Sequence, residues 1–206
     1  MPWNKGRKIG QKRALRRQDV RTIRERLRAE DRKRDLALFS LAIDSKLPAC
    51  DLVAIRVKDV YNKNRVRDRA SVVLQRSDRP VQFEITPETK EAITDWRSGL
   101  RPVPIYLFPS RFHSRLHMST RQYARLVDDW VKGAGLDPAV YGTHSIRRAK
   151  ILLIVQETGD LKAAQLLLGH VKLASTARYL ETELSPRRSP GQRLAAALKI
   201  SEKVKL

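Results

Sequence analysis

Thr143-His144-Ser145-Ile146-Arg147, then Leu168-Gly169-His170, then Tyr179 is the stretch on which the reading of this chain turns. Thr143 is suited to open a helix and Gly159 to close it. On that helix a His and an Arg three residues apart share one face. The face presents an imidazole and a guanidinium to a single anion. Asp160 caps a second predicted helix over Leu161 to Leu168, and Ser175 caps a third through Tyr179. These residue types suit phosphodiester chemistry. A phenol such as that of Tyr179 can attack phosphorus and form a covalent phosphotyrosyl bond. Arg147 can clamp phosphate oxygens with its fork of donors. His144 and His170 can donate hydrogen bonds or handle protons.

Upstream of that stretch the patterns are mainly helical. Leu15, Val20, Ile23 and Leu27 fall on one side of a helix, and the run Leu36, Leu38, Phe39, Leu41, Ile43 is apolar enough to be buried all round. A turn follows around Asp44 to Lys46, and Pro48 sits where a first helical turn accepts proline, ahead of Asp51 to Ile55. The middle reads as strands: Ala70 to Gln75 and Val81 to Ile85 flank the polar turn Arg76 to Pro80 and make a hairpin, with a third strand expected around Val57 to Val66. Thr86 and Pro87 open a helix that runs to about Ser98 before Gly99. Ile105 to Phe108 reads as a short buried segment, and Ser119 caps a helix ending near Gly133. Trp96 and Trp130 fall on apolar faces and are expected in the core, with Cys50 as a small core residue.

Composition narrows the partner. A chain of 206 residues, 41% hydrophobic, has room for one domain with a substantial core. Its formal net charge of +21 favours a polyanion, nucleic acid ahead of an anionic membrane surface. No apolar run approaches the roughly 20 residues of a spanning helix, and the basic N-terminus has no apolar core of a secretory signal. A lone cysteine excludes an internal disulfide and a cysteine-built metal site, and fits a reducing cytoplasm. His113 and His117 bracket a loop and match no ligand pattern, so no metal and no cofactor are expected. Residues 1–34 hold 14 Lys and Arg against four acids (Asp19, Glu25, Glu30 and Asp31). The expected organisation is a flexible basic arm over 1–14, a folded domain over 15–185 and a tail over 186–206 with one short helix around Leu194 to Ile200.

The spacing of His144, Arg147, His170 and Tyr179 resembles the C-terminal signature of the tyrosine recombinases, or phage integrases. The likeness extends back through the Ser119 helix, the Tyr106 to Ser110 segment, the hairpin and the helices from Leu15 to Val60, about residues 15–185. It implies an α+β fold, mainly helical with a small antiparallel sheet, gripping one face of duplex DNA. It also implies several protomers, or a partner recombinase, acting on paired recombination sites. On this resemblance Tyr179, Arg147, His144 and His170 are the catalytic set. Arg148, Arg76, Arg79 and Lys46 are expected to bind DNA, as is the run from Arg24 to Arg34. The protein is then expected in the cytoplasm, with the nucleoid when bound to DNA.

Three departures stand out. The family carries an arginine four residues before the leucine that here is Leu52, and this chain has Pro48 there. The family also places a lysine in the hairpin turn as proton donor. Here the turn reads Gln75-Arg76-Ser77-Asp78-Arg79, and an arginine is a poor proton donor because its pKa is too high. Most members precede the catalytic domain with a helical DNA-binding domain, where this chain has a basic arm of about 14 residues to grip phosphates non-specifically. Two of the usual six active-site groups are thus missing, so two readings stand. One is a recombinase that cleaves and rejoins DNA through Tyr179. The other is a catalytically silent DNA-binding regulator or accessory subunit at recombination sites. A ribosome- or RNA-binding protein would explain the charge but not the His/Arg/His/Tyr set.

Overall fold

A computed structural model describes residues 12–111 and 116–158, with Lys162 beyond them. His170, Tyr179, the expected helices after Gly159 and the tail over 186–206 lie outside the described residues. Helix α1 (Arg17–Ala29) buries Val20, Ile23 and Leu27, the stripe expected at helical spacing. Its start is held by Asp19, whose Oδ2 accepts from the Arg16 N–H at 2.8 Å. Helix α2 (Lys33–Ser45) is buried at every position from Asp35 onward and packs against α1 and two later helices, α5 (Pro87–Ser98) and α7 (Thr143–Thr158). A helix with no polar face can only sit at the centre of the domain.

Asp35 brings a buried charge into this centre, and it is fully engaged. The Asp35 carboxylate accepts from Arg32 Nη2 at 2.6 Å, from Arg34 Nε at 2.9 Å and from the indole of Trp130 at 3.4 Å. Trp130 belongs to α6 (Thr120–Gly133), where Ser119 Oγ accepts from Gln122 N–H at 3.1 Å as the expected cap. Its ring meets Phe39 of α2 edge-on, with centroids 5.5 Å apart.

The hairpin forms as expected, from β3 (Arg69–Val73) and β4 (Pro80–Glu84), antiparallel with Ala70 opposite Phe83 and Val73 opposite Pro80. Ala70 and Phe83 face inward and are buried. The third strand does not form as expected. Val57–Val60 is a helical turn, α4, because Asp59 accepts from the Arg56 N–H at 2.8 Å and caps it. Only the pairs β1 (Tyr61–Asn62) and β2 (Arg65–Val66) follow, as a separate two-stranded ribbon. Of the segment expected to be buried, Leu107 and Phe108 are fully so, whereas Ile105 is 68% exposed. The Ile105 carbonyl accepts from Val57 N–H and Leu107 N–H donates to Ile55, so this edge pairing turns the Ile105 side chain outward.

Two further expectations shift. Residues 12–14, assigned to the arm, are docked: Lys12 Nζ donates to the Pro138 and Ala139 carbonyls, and Arg13 N–H to that of Val140. Cys50 and Trp96 are half-buried rather than fully so, with Trp96 donating to the Leu107 carbonyl at 2.9 Å.

Candidate active site and nucleic-acid interface

Helix α7 begins where Gly142 N–H donates to Ser145 Oγ at 3.0 Å. Its inner face is Ser145, Ile146 and Ala149, all buried. His144 and Arg147 are exposed one turn apart, as their spacing requires, and Lys150 continues the same i, i+3 line at the margin of the core. Arg147 makes no hydrogen bond or ion pair to another described residue, so its fork is open to a ligand.

Lys46 lies where α2 ends, facing that line. It is the C-cap of α2 in the left-handed conformation, φ 54° and ψ 20°, and is half-buried. Burial pushes its ammonium pKa down, and the charges of Lys150 and Arg147 push the same way. Helix α7 packs on α2, and the contact of Lys150 with Asp44 brings Arg147 and Lys150 to the end of α2 that carries Lys46. The carboxylate beside them is Asp44, fully buried, which accepts from the Thr86 N–H at 2.9 Å and the Thr86 hydroxyl at 2.8 Å, with Lys150 Nζ 3.4 Å away. Thr86 therefore spends its hydroxyl on Asp44 and leaves the start of α5 without a side-chain cap.

Pro48 is the N-cap of α3 (Ala49–Val53), one place earlier than the expected first helical position. Its extended ψ of 152° and its missing N–H suit that place. The hairpin turn is tied to α3: Asp51 Oδ1 accepts from Gln75 N–H at 2.9 Å, and Gln75 Nε2 donates to the Cys50 carbonyl at 3.3 Å. Arg76 and Arg79 stand exposed on that turn with no ion pair among the described residues.

Arg148 and the α1–α2 arginines are placed differently from expectation. Arg148 is only 4% exposed and donates to the Lys12 carbonyl, fastening the N-terminal segment to α7. In the run Arg24 to Arg34, Arg24 pairs with Glu88 at 2.5 Å, Arg26 with Glu30 at 2.6 Å and Arg32 with Asp35 and Asp129 at 2.6 and 2.7 Å. Much of that positive charge is spent inside the fold. No group of His, Cys, Asp and Glu among the described residues can hold a metal, and none of their helices is long and apolar enough to cross a membrane. Lys150 and Asp44 escaped the reading of the sequence. The helical spacing from His144 and Arg147 pointed to Lys150; Asp44 read only as a turn residue.

The Phage integrase family matches residues 13–184. The chain belongs to the phage integrase family. Among its relatives in that family is the tyrosine recombinase XerC of Shewanella amazonensis, 31% identical over 150 residues that cover 71% of this chain and 48% of that protein. A probable integrase/recombinase of Bacillus subtilis, YoeC, is 28% identical over 148 residues, 72% of this chain and 77% of that one. The chain thus spans about half the length of the XerC relative. Its fold is that of the XerA recombinase, with a TM-score of 0.64 at 21% identity over 89% of this chain and 62% of XerA. The XerH site-specific recombinase bound to its difH substrate before cleavage gives 0.62 at 18% identity over 90% of this chain and 53% of XerH. The mainly helical α+β architecture is therefore the family's catalytic-domain fold.

Proposed function

We propose that this phage integrase family member binds duplex DNA and acts in site-specific recombination or integration, cleaving and rejoining a strand through Tyr179. The carrying observation is the exposed His144–Arg147 face of α7, open to a ligand and set beside Lys46 in a chain of net charge +21. Arg147 clamps the non-bridging oxygens of the reacting phosphate, and His144 and His170 bond those oxygens and handle protons. The Tyr179 oxygen forms a bond to phosphorus as the bond to the 5′ oxygen breaks. The phenol proton leaves to a histidine, and the 5′ oxygen takes up a proton. The phosphotyrosyl bond keeps its energy for religation. Arg76 and Arg79 bind the backbone from the hairpin turn, and copies of this chain or a partner recombinase share the recombination site. The relatives XerC, YoeC and XerH, by name and by the substrate held in the XerH structure, support this reading.

A specific observation also supports a second reading, a catalytically silent DNA-binding regulator or accessory subunit. Pro48 offers the phosphate neither charge nor N–H, and the hairpin turn has no lysine to protonate the leaving oxygen. Losing one preorganised donor of this kind costs about 10²–10³ in rate. The deciding experiment is a nicked suicide duplex carrying the target found by footprinting. A covalent adduct that disappears in Tyr179→Phe establishes the cleaving form. Footprinted binding with no adduct establishes the silent one.

A further inference from the structure

We infer that Lys46, Arg147 and Lys150 form one phosphate cradle at the end of α2, with Lys46 supplying the cation that the Pro48 position lacks. The cradle deepens the proposed function and rests on its duplex-binding half. Three elements converge here. The C-terminal end of α2, whose last carbonyls favour cations, carries Lys46. The first two turns of α7 carry Arg147 and Lys150, and Asp44 fixes the distance between α2 and α7 through Lys150. The charge does not balance within this group. Asp44 already serves both donors of Thr86, so one engaged carboxylate faces three cations. A phosphodiester with two non-bridging oxygens answers that surplus, and Arg147 and Lys46 approach it from two different helices.

The backbone of Lys46 supports the inference independently. A left-handed φ of 54° is a conformation that glycine adopts without strain and lysine only at a cost. The Lys46 side chain is thus held half-buried, beside two like charges, on a backbone that disfavours any side chain. A phosphate would reverse the electrostatic penalty that Arg147 and Lys150 impose on the Lys46 ammonium.

The backbone also supplies a test in which folding and binding separate. Lys46→Gly relieves the φ strain, so the full chain should melt at or above the wild-type temperature. If the cradle holds a backbone phosphate, the same variant loses about 5–10-fold in affinity for a mixed-sequence duplex. Its plot of log affinity against log salt flattens by about 0.9, the share of one phosphate contact. Lys46→Arg should keep the wild-type slope. In a parallel arm, inorganic phosphate alone is titrated while the Lys46 Cε resonance is followed, and a saturable shift is expected. A wild-type slope in Lys46→Gly overturns the cradle while leaving duplex binding intact, even if free phosphate shifts the resonance. No salt-dependent duplex binding by the full chain overturns the cradle and the proposed function together.

Discussion

Asp44 and Lys150 are 106 residues apart in the chain and 3.4 Å apart in the fold. The same carboxylate takes the Thr86 N–H and hydroxyl, so one buried charge joins the end of α2, the start of α5 and the second turn of α7. Asp44→Ala leaves the half-buried N–H of Thr86 and the Lys150 ammonium without their acceptor. Each bond to a charged group is worth about 1.5–3 kcal/mol, and a loss of about 3 kcal/mol is expected for the site. For a chain of this size that lowers the melting temperature by roughly 6–12 °C. Asp44→Asn, which still accepts from Thr86, should lose less than half as much. An unshifted melt in Asp44→Ala would remove Asp44 from its structural role.

Arg147 and Arg148 are neighbours in sequence with opposite fates, so alanine at each gives opposite results. Arg147→Ala removes an exposed guanidinium, and stability should stay within about 0.5 kcal/mol while duplex binding weakens. Arg148→Ala removes a buried side chain bonded to the Lys12 carbonyl. A loss of about 2 kcal/mol of stability is expected there, with the N-terminal segment exchanging its amides faster. Denaturant melts and a salt series on the same two proteins separate the effects. Equal destabilisation of both variants would contradict the exposed face assigned to Arg147.

The central helix and the hairpin were legible because their signals are local. A run without charged positions, as in Leu36 to Ile43, admits only burial, and alternation around a polar turn admits only a hairpin. The His144–Arg147 face was legible for the same reason, since a helix fixes which residues three apart share a side. What stayed hidden depends on distant partners. Nothing near Arg148 announces that the Lys12 carbonyl, 136 residues earlier, will draw it inward. Val57 to Val60 carries the β-branched residues of a strand, yet Asp59 caps it into a turn of helix. The acids that neutralise Arg24 and Arg32, Glu88 and Asp129, come from α5 and α6. Lys46 gave no warning of its left-handed backbone, because that geometry belongs to the cap that ends α2, where its N–H donates to the Ala42 carbonyl, rather than to lysine's preference. The expected roles of His170 and Tyr179 lie outside the described residues.

Asp51 and Gln75 set the position of the hairpin turn. Removing the carboxylate in Asp51→Ala frees the Gln75 N–H, with an expected loss of about 1.5–3 kcal/mol for a bond to a charged acceptor. Amide exchange in the turn over 74–79 should rise more than in α5 or α6. Arg76→Ala and Arg79→Ala leave that tie in place. They should melt like the wild type while each lowers the salt dependence of duplex binding by about 0.9. Turn variants that bind with the wild-type salt slope would confine the DNA contact to α2 and α7.

Lys46 gives the pH dependence a definite sign. In the free protein its pKa lies below the ordinary lysine value of 10.5, through burial first and then the charges of Lys150 and Arg147. Between the folded and the ordinary value the unfolded chain holds more protons, so this group's contribution to stability rises with pH across that window. Duplex binding runs the other way. A phosphate beside the ammonium raises its pKa, so binding takes up a proton and affinity falls as pH climbs through the free-state value. The charged groups that face Lys46 are Asp44 on α2 and Arg147 and Lys150 on α7, and Lys150→Arg leaves Lys46 as the one lysine of the group. In that background the wild-type Lys46 should lose affinity as pH rises toward and through the ordinary lysine value of 10.5, and Lys46→Arg should stay level. Calorimetry in two buffers of different ionisation heat reads the proton uptake directly, and none anywhere below the ordinary lysine value would place the phosphate away from Lys46.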